Sequence, residues 1–171
     1  DNGIKIVNSE FHNEENGVVN INATLGNGIE IISDTDQNVI LDALFRNESE
    51  VNIGNAAGID KSGIILKLAE NGNSNQRAEF RNLDNSTLNI DRCDRSGIEI
   101  MGRQLVDDGH LEFENHSTLN IGQNTPDNQL FAENGIDIVA GNFSMFTPDE
   151  GATILLIDRV QKHGIQIEKG D

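Results

Sequence analysis

The chain has 171 residues with 12 Lys and Arg against 29 Asp and Glu, and its net charge of -17 argues against nucleic acid and anionic membranes as partners. It contains no run of about eighteen apolar residues, which excludes a transmembrane helix and membrane insertion. Its single Cys excludes an intrachain disulfide and a Cys-based zinc site. The acidic charge leaves a neutral glycan, a protein, a basic partner or a divalent cation open as partners.

The first elements of the chain are three short segments with the period of a β-strand. Residues 3–6 read Gly-Ile-x-Ile, residues 11–13 read Phe-x-Asn, and residues 19–21 read apolar-Asn-Ile. Apolar and polar side chains alternate in each segment, which is typical of strands and not of helices. The pair Asn16-Gly17 predicts a tight turn between the last two segments, because both residue types tolerate positive φ.

The same three segments recur along the rest of the chain. The residues Phe11, Phe45, Phe80 and Phe113 of the Phe-x-Asn segments follow one another at intervals of 34, 35 and 33 residues. Repetition at a near-constant interval indicates a repeat architecture. The other copies lie at residues 28–31, 51–53, 63–66 (a variant), 88–90, 97–100, 119–121, 135–138 and 164–167.

This repetition predicts an all-β fold, a parallel β-solenoid of about five coils with three short strands per coil. Three such strands cannot bury an apolar face alone, but stacked copies can. We expect the Asn after each Phe to form a ladder of side-chain amides through the stack. The predicted core consists of Phe11, Phe45, Phe80, Phe113, Ile29, Ile31, Ile98, Ile100, Ile136 and Ile138.

Two structural alternatives remain at this stage. An antiparallel sandwich would also use Asn-Gly turns, but it has no need for near-identical segments at regular intervals. Residues 37–46 and 62–70 each fit a short helical insertion or a buried strand, and their apolar pattern alone does not decide between the two.

The segment at residues 113–122 reads Phe-Glu-Asn-His-Ser-Thr-Leu-Asn-Ile-Gly, and Gly-Ile-Asp-Ile and Gly-Asn-Phe-Ser-Met-Phe follow it at residues 135–138 and 141–146. With the similar segment at residues 82–90, this pattern resembles the pectate-lyase-like adhesive domain of large, cell-wall-linked surface proteins of Gram-positive bacteria. The resemblance extends from Phe11 to about Ile167 as repeats, without a single diagnostic motif.

The resemblance implies a right-handed parallel β-helix in an extracellular, cell-surface adhesin that has no lyase activity. It also implies a host glycan or an extracellular-matrix protein as the partner, and a cell-wall anchor in parts outside this chain. Both ends of the chain lie in or beside a Gly-Ile-x-Ile segment and have no polar cap. We therefore expect residues 1–171 to be a single solenoid domain excised from a longer surface protein.

Calcium is the one cofactor that the acidic residues suggest. Asp34, Asp36 and Asn38 begin like an EF-hand loop, but Val39 and Phe45 stand where that loop needs a Gly and an acid. A looser calcium contact is the remaining interpretation, beside a plain turn rich in Asp and Asn. The candidate calcium ligands are Asp34, Asp36, Asp107 and Asp108.

Cleavage of a polysaccharide is the alternative function, because related folds host it. A lyase would need several acids around calcium beside a basic residue, and a hydrolase would need two carboxylates on either side of a sugar. Solvated turn acids are the simpler interpretation of this acidic chain. The residues considered for cleavage are Asp91, Asp94, Asp107, Asp108, Arg92, Arg95, Arg103 and His110.

The leading hypothesis is a non-enzymatic segment that binds through the flank of the solenoid or through its variable loops at residues 34–38, 70–77, 107–110 and 123–129. A structural spacer that projects another domain is a further alternative. The candidate binding residues are Asp34, Asp36, Asn38, Asp91, Asp94, Asp107, Asp108 and His110.

Overall fold

A computed structural model describes residues 1–34, 42–69, 76–102, 109–123, 131–140, 142–145 and 153–168. Within these ranges the chain forms β-strands joined by turns and contains no helix. The strands are β1 (Ile4–Val7), β2 (Glu10–Asn13), β3 (Val18–Thr24), β4 (Ile29–Ser33), β5 (Asp42–Asn47), β6 (Glu50–Ile59), β7 (Ile64–Leu68), β8 (Arg77–Asn82), β9 (Thr87–Ile90), β10 (Ser96–Met101), β11 (His110–Asn115), β12 (Thr118–Ile121), β13 (Asn134–Ala140), β14 (Asn142–Met145), β15 (Ile154–Ile157) and β16 (His163–Ile167).

These strands build three parallel sheets, because each strand pairs with the strand three places further along the chain. The first sheet has the order β1-β4-β7-β10-β13-β16, the second β2-β5-β8-β11-β14, and the third β3-β6-β9-β12-β15. Each coil of the chain therefore adds one strand to every sheet. The prediction of an all-β parallel solenoid is confirmed, and the antiparallel sandwich is wrong.

The predicted stack of phenyl rings runs through the second sheet. Phe11, Phe45, Phe80 and Phe113 are register partners in neighbouring strands, and their ring centroids lie 4.9, 4.8 and 4.9 Å apart. These distances match the spacing of hydrogen-bonded strands, about 4.8 Å, so the backbone itself sets the ring stacking. Three of the rings are fully buried, and Phe11 at the first coil is partly buried.

The Ile residues of the first sheet complete the predicted core. The side chains of Ile29, Ile31, Ile98, Ile100 and Ile136 are fully buried and that of Ile138 nearly so. The Gly before each pair is required by close packing between coils. A Cβ atom at Gly97 would lie 2.7 Å from the carbonyl oxygen of Gly135, closer than real Cβ contacts allow.

The expected ladder of Asn side chains is present along the C-terminal ends of the strands of the second sheet. The Nδ2 atom of Asn13 donates to Oδ1 of Asn47, and the same bond joins Asn47 to Asn82 and Asn82 to Asn115, each at 2.8 Å. All four side chains are buried, so these bonds satisfy groups that would otherwise be costly to bury. We call this row the inner ladder.

A second row of Asn side chains was not predicted. On the outer surface of the third sheet, Asn52 donates to Asn20 at 3.0 Å, Asn89 to Asn52 at 2.8 Å, and Asn120 to Asn89 at 2.8 Å. We call this row the outer ladder. It is more exposed than the inner ladder, because only Asn52 of its members is buried.

The two segments of undecided structure are strands where the structure describes them. Residues 64–68 form β7 in the first sheet, and residues 42–46 belong to β5 in the second. A helix at residues 62–69 or at residues 42–46 is therefore wrong, because the apolar side chains there pack in register with the strands of the neighbouring coils, and residue 70 lies outside the described residues. Residues 37–41 lie outside the described residues.

We expect Phe80→Ala to lower the free energy of unfolding by about 3–5 kcal/mol, because it opens a cavity inside a fully buried ring stack. Phe11→Ala is the matched control at the partly buried end of the stack, and it should cost clearly less. Urea denaturation of both variants measures the difference. Equal costs for the two variants would show that the stack does not carry the core.

The two ladders provide a second test. Asn82→Ala in the inner ladder should cost about 1–3 kcal/mol, because it leaves the buried Oδ1 atom of Asn115 without its donor and removes the 2.8 Å acceptor of Nδ2 of Asn47. Asn89→Ala removes the same groups from the outer ladder, where water can replace them, and should cost less. Thermal unfolding under matched conditions compares the two, and a larger loss for Asn89→Ala would contradict this assignment.

Candidate functional site

The candidate calcium residues lie largely outside the described part of the chain. Asp36, Asn38, Asp107 and Asp108 fall in residues that the structure does not describe, as does Arg103. Asp34 is exposed, and its backbone N–H donates to Oδ1 of Asn8 at 2.7 Å. Within the described ranges, no group of three or more His, Cys, Asp and Glu side chains is arranged to hold a metal ion.

The residues considered for polysaccharide cleavage do not converge where they are described. Asp91 and Asp94 lie in the turn between β9 and β10, at the corner that joins the third sheet to the first. His110 begins β11 in the second sheet. Asp91 is buried and Asp94 is exposed, so these two acids do not present a common surface either.

Two basic residues, Arg92 and Arg95, lie near Asp91 at this corner. An Nη atom of Arg95 donates to Oε1 of Glu99 at 2.9 Å. The backbone of Arg92 lies so close to Gly54, which has a φ of 77°, that a side chain there would collide with it. The side chain of Arg95 is thus paired with Glu99, and the backbone of Arg92 packs closely against the preceding coil at this corner.

Cys93 lies at the same corner and is buried. Burial, together with the charge of Asp94, raises the pKa of its thiol well above the usual range. A thiol that stays protonated is a poor nucleophile. Cys93 therefore serves as a small core residue, as its place in the apolar cluster also indicates.

A network of charges covers the outer surface of the second sheet. The carboxylate of Glu79 accepts from Arg77 at 2.7 Å and from Arg81 at 2.6 Å, although the Glu79 side chain is only 8% exposed. The Nε atom of Arg81 also lies 3.3 Å from Glu114 in the next coil. Both arginines thus bond to Glu79 within their own strand, and Arg81 also links this coil to the next through Glu114.

His110 belongs to this network. Its Nε2 atom lies 2.8 Å from Glu112 and 3.5 Å from Glu79. The hydroxyl of Ser144 donates to Glu112 from the following coil at 3.0 Å. The structure therefore places the predicted binding residue His110 in a charge network that packs one coil on the next.

Sequence reasoning missed this network, although a signal for it was present. The strands of the second sheet read Arg77-x-Glu79-x-Arg81 and His110-x-Glu112-x-Glu114, with the charges at the positions that point outward. A charge at an outward strand position is ordinarily solvated. Only the register reveals which of these charges become neighbours.

The first sheet carries two acids that the surrounding charges affect in opposite ways. Burial alone would raise the pKa of Glu30, but bonding to Lys67, with the charge of Lys5 and a bond from Asn2, lowers it below the usual value. Burial raises the pKa of Asp137, and the nearby charge of Glu168 adds to the shift.

The surroundings of Asp137 explain why its carboxylate is poorly stabilised. It accepts a bond from Nδ2 of Asn134 at 3.3 Å, while its Oδ1 atom is buried without a hydrogen-bond partner among the described residues. Its register partner in β10 is the buried acid Glu99. The folded protein therefore disfavours the charged form of Asp137.

An open groove of about 550 Å³ lies at the corner between the second and third sheets. Four coils contribute to it through the turns that follow β2, β5, β8 and β11. Its lining is mostly polar and holds both signs of charge. The lining residues are Glu15, Asn16, Arg46, Glu48, Ser49, Leu83, Asp84, Asn85 and His116.

Unequal turn lengths create this groove. The turns after β2 and β8 span four residues each, 14–17 and 83–86, whereas those after β5 and β11 span two, 48–49 and 116–117. Asn16 and Asn85 occupy equivalent places in the longer turns, with left-handed φ values of 67° and 62°. The longer turns of the first and third coils thus form walls on either side of the second coil.

Comparison of the chain with protein-family models, with curated proteins and with solved structures found no match. The described residues contain no helix that is long and apolar enough to cross a membrane. Any assignment of function therefore depends on the chain's own residues and their geometry.

Asp137→Asn should stabilise the protein at neutral pH. The pKa of Asp137 is higher in the folded protein than in the unfolded chain. The stability that its protonated form contributes is therefore fully present below the unfolded pKa and is lost as pH rises through the folded pKa. The Asn variant lacks this loss, so its melting temperature should exceed that of the original chain at pH 7 and approach it in acid.

Asp60→Asn is the control for this measurement, since Asp60 is an exposed turn residue. It should leave the difference from the original chain nearly constant across the same pH range. The assignment would be contradicted if the melting temperature of Asp137→Asn minus that of the original chain were smaller at pH 7 than at pH 3.

Proposed function

We propose that this solenoid is a non-enzymatic binding segment of a bacterial cell-surface adhesin, of the pectate-lyase-like adhesive kind that its repeats resemble. In this proposal it acts outside the cell and binds a host or environmental protein or glycan. The observation that carries the proposal is the groove at the corner between the second and third sheets, which turns of several coils line with polar side chains.

The separation of this groove from the core supports a binding role. The inner ladder continues from Asn13 to Asn115 without interruption, although the turns that follow its members differ in length and composition. Turn residues can therefore vary without disturbing the bonds that hold the coils together. Binding surfaces are commonly built on loops that a rigid scaffold positions in this way.

The source of stability is compatible with life outside the cell. The chain has one Cys and so cannot use an intrachain disulfide, the usual support of small extracellular domains. Three continuous sheets, a ring stack and two ladders take that role here. Their hydrogen bonds and apolar contacts do not depend on the redox conditions of the surroundings.

Two other functions remain proposals beside this one. A structural spacer is favoured by the continuous sheets, which make a stiff stack of coils. Polysaccharide cleavage with calcium would have to use Asp107 and Asp108, because Asp91 and Asp94 lie at a different corner from His110 and do not present a common surface. Both alternatives predict results that differ from those of an adhesin.

Binding of this segment to an array of glycans and host matrix proteins tests the proposal. We expect saturable binding to at least one class of partner, without shortening of any polysaccharide. Loss of that binding on chelation would indicate that binding depends on calcium held at the acidic loops, which include Asp34. No binding to any partner, with positive controls that bind, would contradict the adhesin and favour the spacer.

A further inference from the structure

We propose that the groove lined by Glu15, Ser49 and Asp84 binds a Lys or Arg side chain from a basic segment of a protein partner. This inference rests on the proposed adhesive function and specifies the chemistry of its partner. It follows from the shape of the groove, from the state of the charges in it and from the composition of its lining.

The shape fits a single long side chain. The walls are the four-residue turns of the first and third coils, 14–17 and 83–86, and the two-residue turn 48–49 lies between them. Since neighbouring coils are about 4.8 Å apart, the walls are separated by about 10 Å between backbones. The groove between the walls is therefore about as wide as one missing coil, which is the thickness of an extended side chain.

The charges on the two walls are available to a ligand. Glu15 and Asp84 are exposed, and neither forms an ion pair or side-chain hydrogen bond with a described residue. Arg46, in contrast, forms an ion pair with Glu48, with 2.6 Å between Nε and Oε1. Its charge is thus balanced within the groove, and two wall carboxylates remain for a cation.

A cation between these walls would interact with carboxylates on both sides. The aliphatic stem of Lys or Arg could lie against Leu83, and oxygen atoms of Ser49 and Asn85 could accept its N–H groups. The net charge of -17 would also speed the approach of a basic partner over longer distances.

The lining favours a basic protein segment over a neutral glycan. It contains no Phe, Tyr or Trp, so it offers no aromatic ring on which a sugar ring could pack. The two carboxylates can accept hydrogen bonds from sugar hydroxyls, but only a cation also gains the charge attraction. A protein segment that carries Lys or Arg uses both features of the groove, the narrow notch and its charge.

Titration of the chain with a short peptide of alternating Lys and Ser, followed by NMR, tests this proposal. The double variant Glu15→Gln with Asp84→Asn should weaken binding at least about threefold, since each exposed ion pair contributes modestly. The amide signals of Asn16 and Asn85 should shift most in the original chain. A peptide with Gln in place of Lys should not bind.

The matched control is Glu14→Gln with Asp60→Asn, which also removes two negative charges. Glu14 is in the same turn as Glu15 but does not line the groove, and Asp60 is an exposed turn residue elsewhere. This control should weaken binding less than about 1.5-fold, because it alters only the long-range field. Thermal unfolding of both double variants should match that of the original chain.

Three outcomes would overturn the inference: no binding of the Lys peptide, equal weakening in both double variants, or shifts confined to amides outside the groove. The array of glycans and matrix proteins separates this failure from that of the proposed function. If a partner on the array binds both double variants as tightly as the original chain, the adhesin stands and the groove assignment is wrong. If the array and the peptide are both blank, both proposals fail.

Discussion

The spacing of hydrogen-bonded parallel strands is the constraint on which this structure depends. Every side chain must be compatible with its equivalents in the neighbouring coils at about 4.8 Å. Phenyl rings meet this requirement by stacking at 4.8–4.9 Å, and Asn amides meet it by bonding at 2.8 Å. Glycines meet it by allowing backbones to approach more closely than a Cβ would permit. The core can therefore be thin, because each coil completes the burial of the next.

Charged side chains satisfy the same constraint in a different way. Arg46 and Arg81 are register partners, and so are Glu79 and Glu112, so like charges would meet along the stack. Arg46 instead turns to Glu48 beside it, while Arg81 bonds to Glu79 within its own strand. Pairing along and between strands thus relieves repulsion across coils. At Asp137 burial outweighs the bond from Asn134 and the charge of Arg95, so its pKa stays raised.

The repeat made the fold and much of its interior predictable from the sequence. The ring stack from Phe11 to Phe113 and the inner ladder from Asn13 to Asn115 follow from recurrence alone, because stacked copies must place equivalent residues together. The groove was less visible, although the two turn lengths can be counted between each Phe-x-Asn segment and the next strand. The outer ladder was missed because an outward Asn is ordinarily expected to bond to water.

The sequence by itself determined the kind of fold, the residues of the core and the strongly negative net charge. These properties depend on which residues recur and on total charge, and both can be counted along the chain. Only the tertiary structure decided that His110 joins Glu79 and Glu112, that Asp91 and His110 lie at different corners, and that Glu15 and Asp84 stand on opposite walls of one groove. The physical reason is that these relations join residues dozens of positions apart, and the register of the coils sets their distances.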